Sequence, residues 1–424
     1  MKNKILIGTG IVLSSLLAFT TIFNEACADQ ISNNVIAGDA LQIEFDKLKV
    51  SGKPMSMIEI IPPSIPDSKN AAIELRLAFK LMNKGSDYYK NKDFIAKTIK
   101  NISTFSKLKE QNKIKKLLAS EEVQKIFSYA SKAANKPALN FNLDYSKGMD
   151  MPVPHLQKVR GIVRLLCIKA SLEARGRKRE LAYQTLLTAF KISFLLKDEP
   201  VIISQLVLLA CDKLVIKCTE SIVNNYGISS NDAEMLLAEL SKRNLVKDMA
   251  KMLSGERLMF MSVFEKIITG NTSKELESVL SIINSLSSKK INYPLSISSK
   301  ASIKNDYAAY LRLHSRYDKW FTMPFWKIED RSTKQFIKDI PKSYILTRML
   351  FPALIPIREK VAKAEQKIAK CKVMLALYMY KNKAEKFPAS LDNLSPTFLK
   401  KVPVSPLSGK NFSYKLKNNN FELK

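Results

Sequence analysis

The chain is predicted to be mostly α-helical: a multi-helix array of antiparallel helical hairpins, then a long helix carrying a small α+β cap with a β-hairpin. Three observations predict this. Only 12 glycines occur in 424 residues, too few for a turn-rich β protein. Apolar residues recur every three or four positions through long stretches, the mark of helices with one buried face. The 46% hydrophobic content is enough to build a sizeable core and excludes a mainly disordered chain.

Residues 1–28 read as a signal peptide or a retained N-terminal anchor. "MKNK" is a basic lead, Ile5 to Phe23 is uncharged and apolar, and Ala26-Cys27-Ala28 offers a small-x-small cleavage pattern. Export is therefore expected, to the periplasm or to the inner membrane facing it. Residues 29–66 form a Pro-containing lead-in expected to be extended, with modest periodicity to residue 50. A helical domain is predicted over 67–350. Asp67 or Ser68 is placed to cap its first helix, near Asn70. Helices are expected over 91–117 and 120–134, then a polar loop over 136–154. "LQKVRGIVRLLCIKASLEA" and "RELAYQTLLTAFKISFLL" make an antiparallel pair across the basic turn "RGRKR". Its small residues are reminiscent of one tetratricopeptide unit, but no second copy follows at that period. "DEPVIISQLVLLACDKLVIKCTESIV" is apolar almost all round and reads as a central buried helix, with Asp212, Lys213 and Lys217 arguing against a membrane span. Ser230 or Asn231 is positioned to cap the next helix, and helices over 245–268 and 273–286 precede a Ser/Lys-rich break. An aromatic helix and a Pro-interrupted packed loop over 321–343 come next.

Residues 351–424 are the long helix and its cap. Pro388 ends the helix and Ser390 can start a short one presenting Leu391, Leu394 and Phe398 to one side. Pro403 and Pro406 stiffen the crossing. Phe412, Tyr414 and Leu416, then Phe421 and Leu423, alternate with polar residues as a hairpin with one apolar face. A lone hairpin is marginal in water, so this face must pack on the helix or on a partner.

The chemistry-bearing residues are few. The formal charge of +30 attracts anionic surfaces, although the lysines are spread along the chain and not massed. His155 and His314 are the two histidines, and surface or capping roles are expected for both. No catalytic, metal, redox or cofactor motif appears, so no cofactor is predicted. Cys167, Cys211, Cys218 and Cys371 are expected as buried thiols. Cys211 and Cys218 lie about 10 Å apart on one helix, beyond the ~7 Å reach of a bridge. Glu256-Arg257, in an apolar helix, is the most informative charged pair: buried and paired if structural, facing a cleft beside a second carboxylate if catalytic.

Four landmarks in order are similar to a class of exported bacterial helical proteins. They are Pro66-Asp67-Ser68-Lys69-Asn70-Ala71-Ala72; Leu156, Arg160, Arg164, Leu165 and Leu166; Glu199-Pro200 with Ile203-Ser204-Gln205-Leu206; and Gly255-Glu256-Arg257. The ending resembles the tail of the type II secretion major pseudopilin: Phe387-Pro388, Leu391, Leu394, Phe398-Leu399, Pro403, Pro406, Gly409, Phe412 and Tyr414 follow that order. It departs at Ser405, where the family has Asp, and at Leu407, where Trp is common. The acidic calcium loop has no counterpart before "FELK", and no prepilin-peptidase motif precedes the helix. The resemblance implies the tail fold, and neither assembly as a pilus subunit nor calcium binding.

The expected function is a non-enzymatic envelope scaffold or interaction module. Its partners would be an envelope or secretion-related protein or an anionic envelope surface, not nucleic acid, with membrane contact through an uncleaved N-terminal segment. The alternatives are a hydrolase using buried carboxylates and a basic binder of anionic lipid or polysaccharide.

Overall fold

The computed structural model describes residues 37–100, 108–270, 299–328, 336, 338, 340–417 and 420–424. The predicted signal segment, the helix over 273–286, nearly all of the break after it and part of the loop over 321–343 lie outside the described residues. The helices are α1 (Ala37–Val50), α2 (Ala72–Lys80), α3 (Asp87–Lys100), α4 (Leu108–Ala119), α5 (Glu121–Ala134), α6 (His155–Arg175) and α7 (Arg179–Phe194). They continue as α8 (Ile202–Tyr226), α9 (Ser230–Ser241), α10 (Leu245–Thr269), α11 (Lys300–Thr322), α12 (Ile345–Leu350) and α13 (Ile355–Ala384). Strands β1 (Tyr414–Lys417) and β2 (Asn420–Leu423) close the chain as an antiparallel hairpin, with Tyr414 opposite Leu423 and Leu416 opposite Phe421.

The α6–α7 hairpin forms as its periodicity predicts and packs on α8, whose faces are buried nearly all round. Helix α13 lies against α8 and α9, and α10 packs against α8, α11 and α13. One apolar core runs from Leu48 to Phe412, without a break at the boundary suggested near residue 350. Among the described residues no helix is long and apolar enough to cross a membrane.

Three local expectations are corrected. The lead-in is not extended throughout: residues 37–50 are helical, because Leu41, Phe45 and Leu48 share one face that packs on α11, with Phe45 edge-on to Tyr307 at 5.5 Å. Neither Asp67 nor Ser68 caps α2. The Asn70 side chain does so, accepting from Ala72 N–H at 3.0 Å while clamping Asn140 N–H (3.0 Å) and carbonyl (2.9 Å). That double duty ties the start of α2 to the 138–140 loop, which a short-range reading cannot see. Helix α9 is capped by Ser229, whose hydroxyl accepts from Asp232 N–H at 3.1 Å, and not by Ser230 or Asn231.

Candidate functional site: a buried charge cluster between α10 and α11

Three chain segments converge on Arg257: the stretch after α1, helix α10 and helix α11. The Arg257 side chain is wholly buried; its Nη2 donates to the Pro54 carbonyl at 2.7 Å and its Nη1 lies 3.8 Å from Asp318. Asp318 also accepts from Lys53 Nζ at 3.0 Å and stands 3.3 Å from His314 Nδ1, off the hydrogen-bond line. Burial pushes the Asp318 carboxyl up, but His314 and Lys53 outweigh it and hold the group at about 2. Burial acts on Arg257 in the opposite sense and lowers it. Arg257 Nε and Nη1, both His314 ring nitrogens and the Tyr310 hydroxyl make no hydrogen bond among the described residues. All are sealed from solvent; Arg257 Nη1 and His314 Nδ1 still face the Asp318 carboxylate, whereas Arg257 Nε, His314 Nε2 and the Tyr310 hydroxyl each carry a desolvation cost of ~1–3 kcal/mol.

Glu256 differs from its neighbour. It is partly buried and has no ion pair among the described residues. Burial pushes its carboxyl up to about 7, against the Ile202 N–H, which favours the charged form. Gly255 explains the placement: a Cβ there would overlap the Pro200 carbonyl oxygen, so only glycine lets α10 approach the start of α8 this closely. Two landmark segments, Gly255-Glu256-Arg257 and Glu199-Pro200, are thus packed against each other.

Beside them His155 Nε2 sits 3.1 Å from Glu199, and Ser204 donates to Glu199 at 2.6 Å. Both address the carboxylate and not each other, so the trio lacks the serine-to-histidine contact that activates a nucleophile. Gln205 Nε2 reaches the Leu196, Lys197 and Glu199 carbonyls, which makes this a clamp on the α7–α8 connection. His155 and His314 are both buried, which corrects the surface or capping roles expected from sequence. His155 is packed on the Phe141 ring at 4.5 Å, and His314 sits within the Arg257–Asp318 cluster.

A second buried hub is fully paired. Arg243 donates through Nε to Asp212 at 3.1 Å and through Nη1 to Glu239 at 2.8 Å, and its Nη2 reaches the Phe190 carbonyl at 2.7 Å. Ser193 also donates to Asp212. This network joins α7, α8 and α9.

The tail residues singled out in the sequence dock on one another. Phe387 is buried edge-on to Tyr378 at 5.4 Å and to Phe421 at 5.0 Å, and the Tyr414 hydroxyl donates to the Pro388 carbonyl at 2.8 Å. Pro403 and Pro406 are half-buried and flank Ser405, whose hydroxyl donates to Gln366 of α13 at 2.7 Å. Gly409 has φ +70° and lies under the Trp326 indole, where a Cβ would overlap the ring. Arg160 and Arg164 lie on α6, remote in kind from both acidic hubs: neither has an ion pair or hydrogen bond among the described residues.

A cleft of ≈ 810 Å³ opens elsewhere, lined by Tyr183, Gly227, Asp232, Tyr378, Lys381 and Asn382 among others, and holds none of the candidate site residues named from the sequence. The four cysteines of the described residues are buried free thiols. No group of three or more metal-ligating side chains occurs among the described residues. Sequence reasoning found Glu256 and Arg257 but missed Lys53, Tyr310 and Asp318. The His314–Asp318 spacing of one helical turn was the one available signal for the last. The chain matches no protein-family model, no curated protein and no solved structure.

Proposed function

We propose that the chain is an exported, non-enzymatic envelope protein that serves as a rigid helical scaffold for an envelope or secretion-related protein. One observation carries the reading: exposed large apolar side chains concentrate next to the N-terminal helix. Ile43, Val50, Ile58 and Ile61 all face solvent, with Val50 90% and Ile58 83% exposed. Ile43, Lys47 and Val50 follow i, i+4, i+7 spacing and share one side of α1. Clustered apolar exposure of this kind marks interaction surfaces. The pseudopilin-like order of tail residues supports a secretion-related partner. The test is capture from envelope extracts at low and moderate salt by the wild-type chain and by a Val50→Asp/Ile58→Asp variant. A specific protein retained by the first and lost by the second is expected, with thermal unfolding unchanged. Retention by both, or by neither, overturns the reading.

A second reading, an envelope-acting hydrolase, is favoured by the divergence of Glu256 (about 7) from Asp318 (about 2) around Tyr310 and Arg257. Carboxyls pushed apart in acidity are what general acid and base roles require. Release of soluble fragments from purified envelope polymer by the wild type, abolished in Glu256→Gln, would establish it. Equal release by both proteins would remove Glu256 from the chemistry.

A further inference from the structure

We propose that Arg160, Arg164 and the Tyr88 hydroxyl form a binding site for a phosphate group or an oxoanion of similar shape. The two arginines stand one turn apart on α6 and are both half-buried. Burial lowers Arg164, and the neighbouring charge of Arg160 lowers it further. Like charges at this spacing destabilise a helix. The arginines fully buried among the described residues have acids: Arg243 has Asp212 and Glu239, Arg257 has Asp318 and Arg358 has Glu365. Arg160 and Arg164 make no hydrogen bond or ion pair among the described residues, and their nitrogens are not among the sealed, unpartnered polar atoms. They are therefore free donors that solvent can reach.

Tyr88 of α3 completes the set. Its hydroxyl lies over Gly161, where a Cβ would overlap it, so glycine between the two arginines admits the phenol to their side of α6. The neighbouring wall offers no unpaired carboxylate among the described residues. Cys211 of α8 is buried, with its thiol pushed up to about 12, and Asp212 is already taken by Arg243 and Ser193. Two guanidinium forks and a phenol hydroxyl match the several acceptor oxygens of a tetrahedral oxoanion, for which arginine is the preferred partner. The assignment is independent of the scaffold reading.

The test uses the full chain with two probes: inorganic phosphate by titration calorimetry, and phosphatidylcholine vesicles with or without phosphatidic acid by co-sedimentation. Saturable binding is expected, weakened about tenfold or more in Arg160→Gln and in Arg164→Gln and unchanged in Lys217→Gln, which alters an exposed lysine on α8. Arg160→Lys is expected to fall between, because it keeps the charge and loses the fork. Either glutamine variant decides alone should the other fail to fold. Binding of free phosphate identifies a soluble oxoanion, and binding confined to phosphatidic acid vesicles identifies a headgroup. No binding of either probe, wild-type affinity in the glutamine variants, or an equal loss in Lys217→Gln overturns the site.

Discussion

Asp212 and Glu256 are carboxyls placed in apolar helices, and only the first has a cation to answer it. Arg243 reaches Asp212 through two nitrogens, at 3.1 and 3.2 Å, within a hub closed from solvent. Removing one partner from such a pair leaves a buried charge uncompensated, which costs more than the pair contributes. Asp212→Asn is therefore expected to destabilise the protein by about 3–5 kcal/mol in urea unfolding. Adding Arg243→Met together with Glu239→Gln, which removes the whole buried triad, should recover much of that loss; a single-variant cost below about 1 kcal/mol would refute the account. Glu256 behaves in the opposite way. Its folded value of about 7 exceeds the ordinary 4.5, so the folded state keeps a proton that the unfolded chain releases between them. Its contribution is then fully present below the ordinary value and is lost as pH rises through 7. Glu256→Gln should be more stable than wild type by about 3 kcal/mol near pH 8 and close to it near pH 4. Denaturant titrations giving the same difference at both pH values would show that Glu256 is not perturbed.

At the scale of elements, two glycines decide how segments meet. Gly255 lets α10 touch the Pro200 carbonyl, and Gly409 sets the tail turn against Trp326. Gly409→Ala meets two obstacles, the positive φ and the indole, and is expected to cost about 1–3 kcal/mol. Its signature should be a red shift of tryptophan emission with faster cleavage after Lys400 or Lys401. In a Trp326→Ala background the cost should shrink to the backbone strain alone; an unchanged cost would show that the indole contact is immaterial. Most helices, the α6–α7 hairpin and the β-hairpin were legible, because their signals are periodicities over neighbouring residues; α1, in a stretch expected to be extended, was not. Caps were legible only to within one or two positions. Asn70 wins at α2 because its amide also holds Asn140, a residue 70 positions away. The site was legible in part. Glu256 and Arg257 stand out as charges in an apolar run, whereas Lys53 and Tyr310 look like ordinary solvent and core residues until the segments converge.

For the whole molecule the decisive fact is one continuous core from Leu48 to Phe412, with the tail packed on α13 and the 324–326 turn. The array and the tail should therefore unfold together. Far-UV circular dichroism and tryptophan emission, reporting from Trp320 and Trp326, are expected to give coincident denaturation curves. A tail that melts at lower denaturant than the array would contradict the shared core. The sequence by itself determined the helical class, the span of most helices, the hairpin ending and the basic character of the chain. Each follows from composition or from contacts between near neighbours. Only the tertiary structure decided which charges are paired. Lys53 meets Asp318 across 265 residues and Arg257 meets the Pro54 carbonyl across 203. Such contacts depend on how whole helices dock, and the local pattern that builds a helix carries no record of what its polar residues will face.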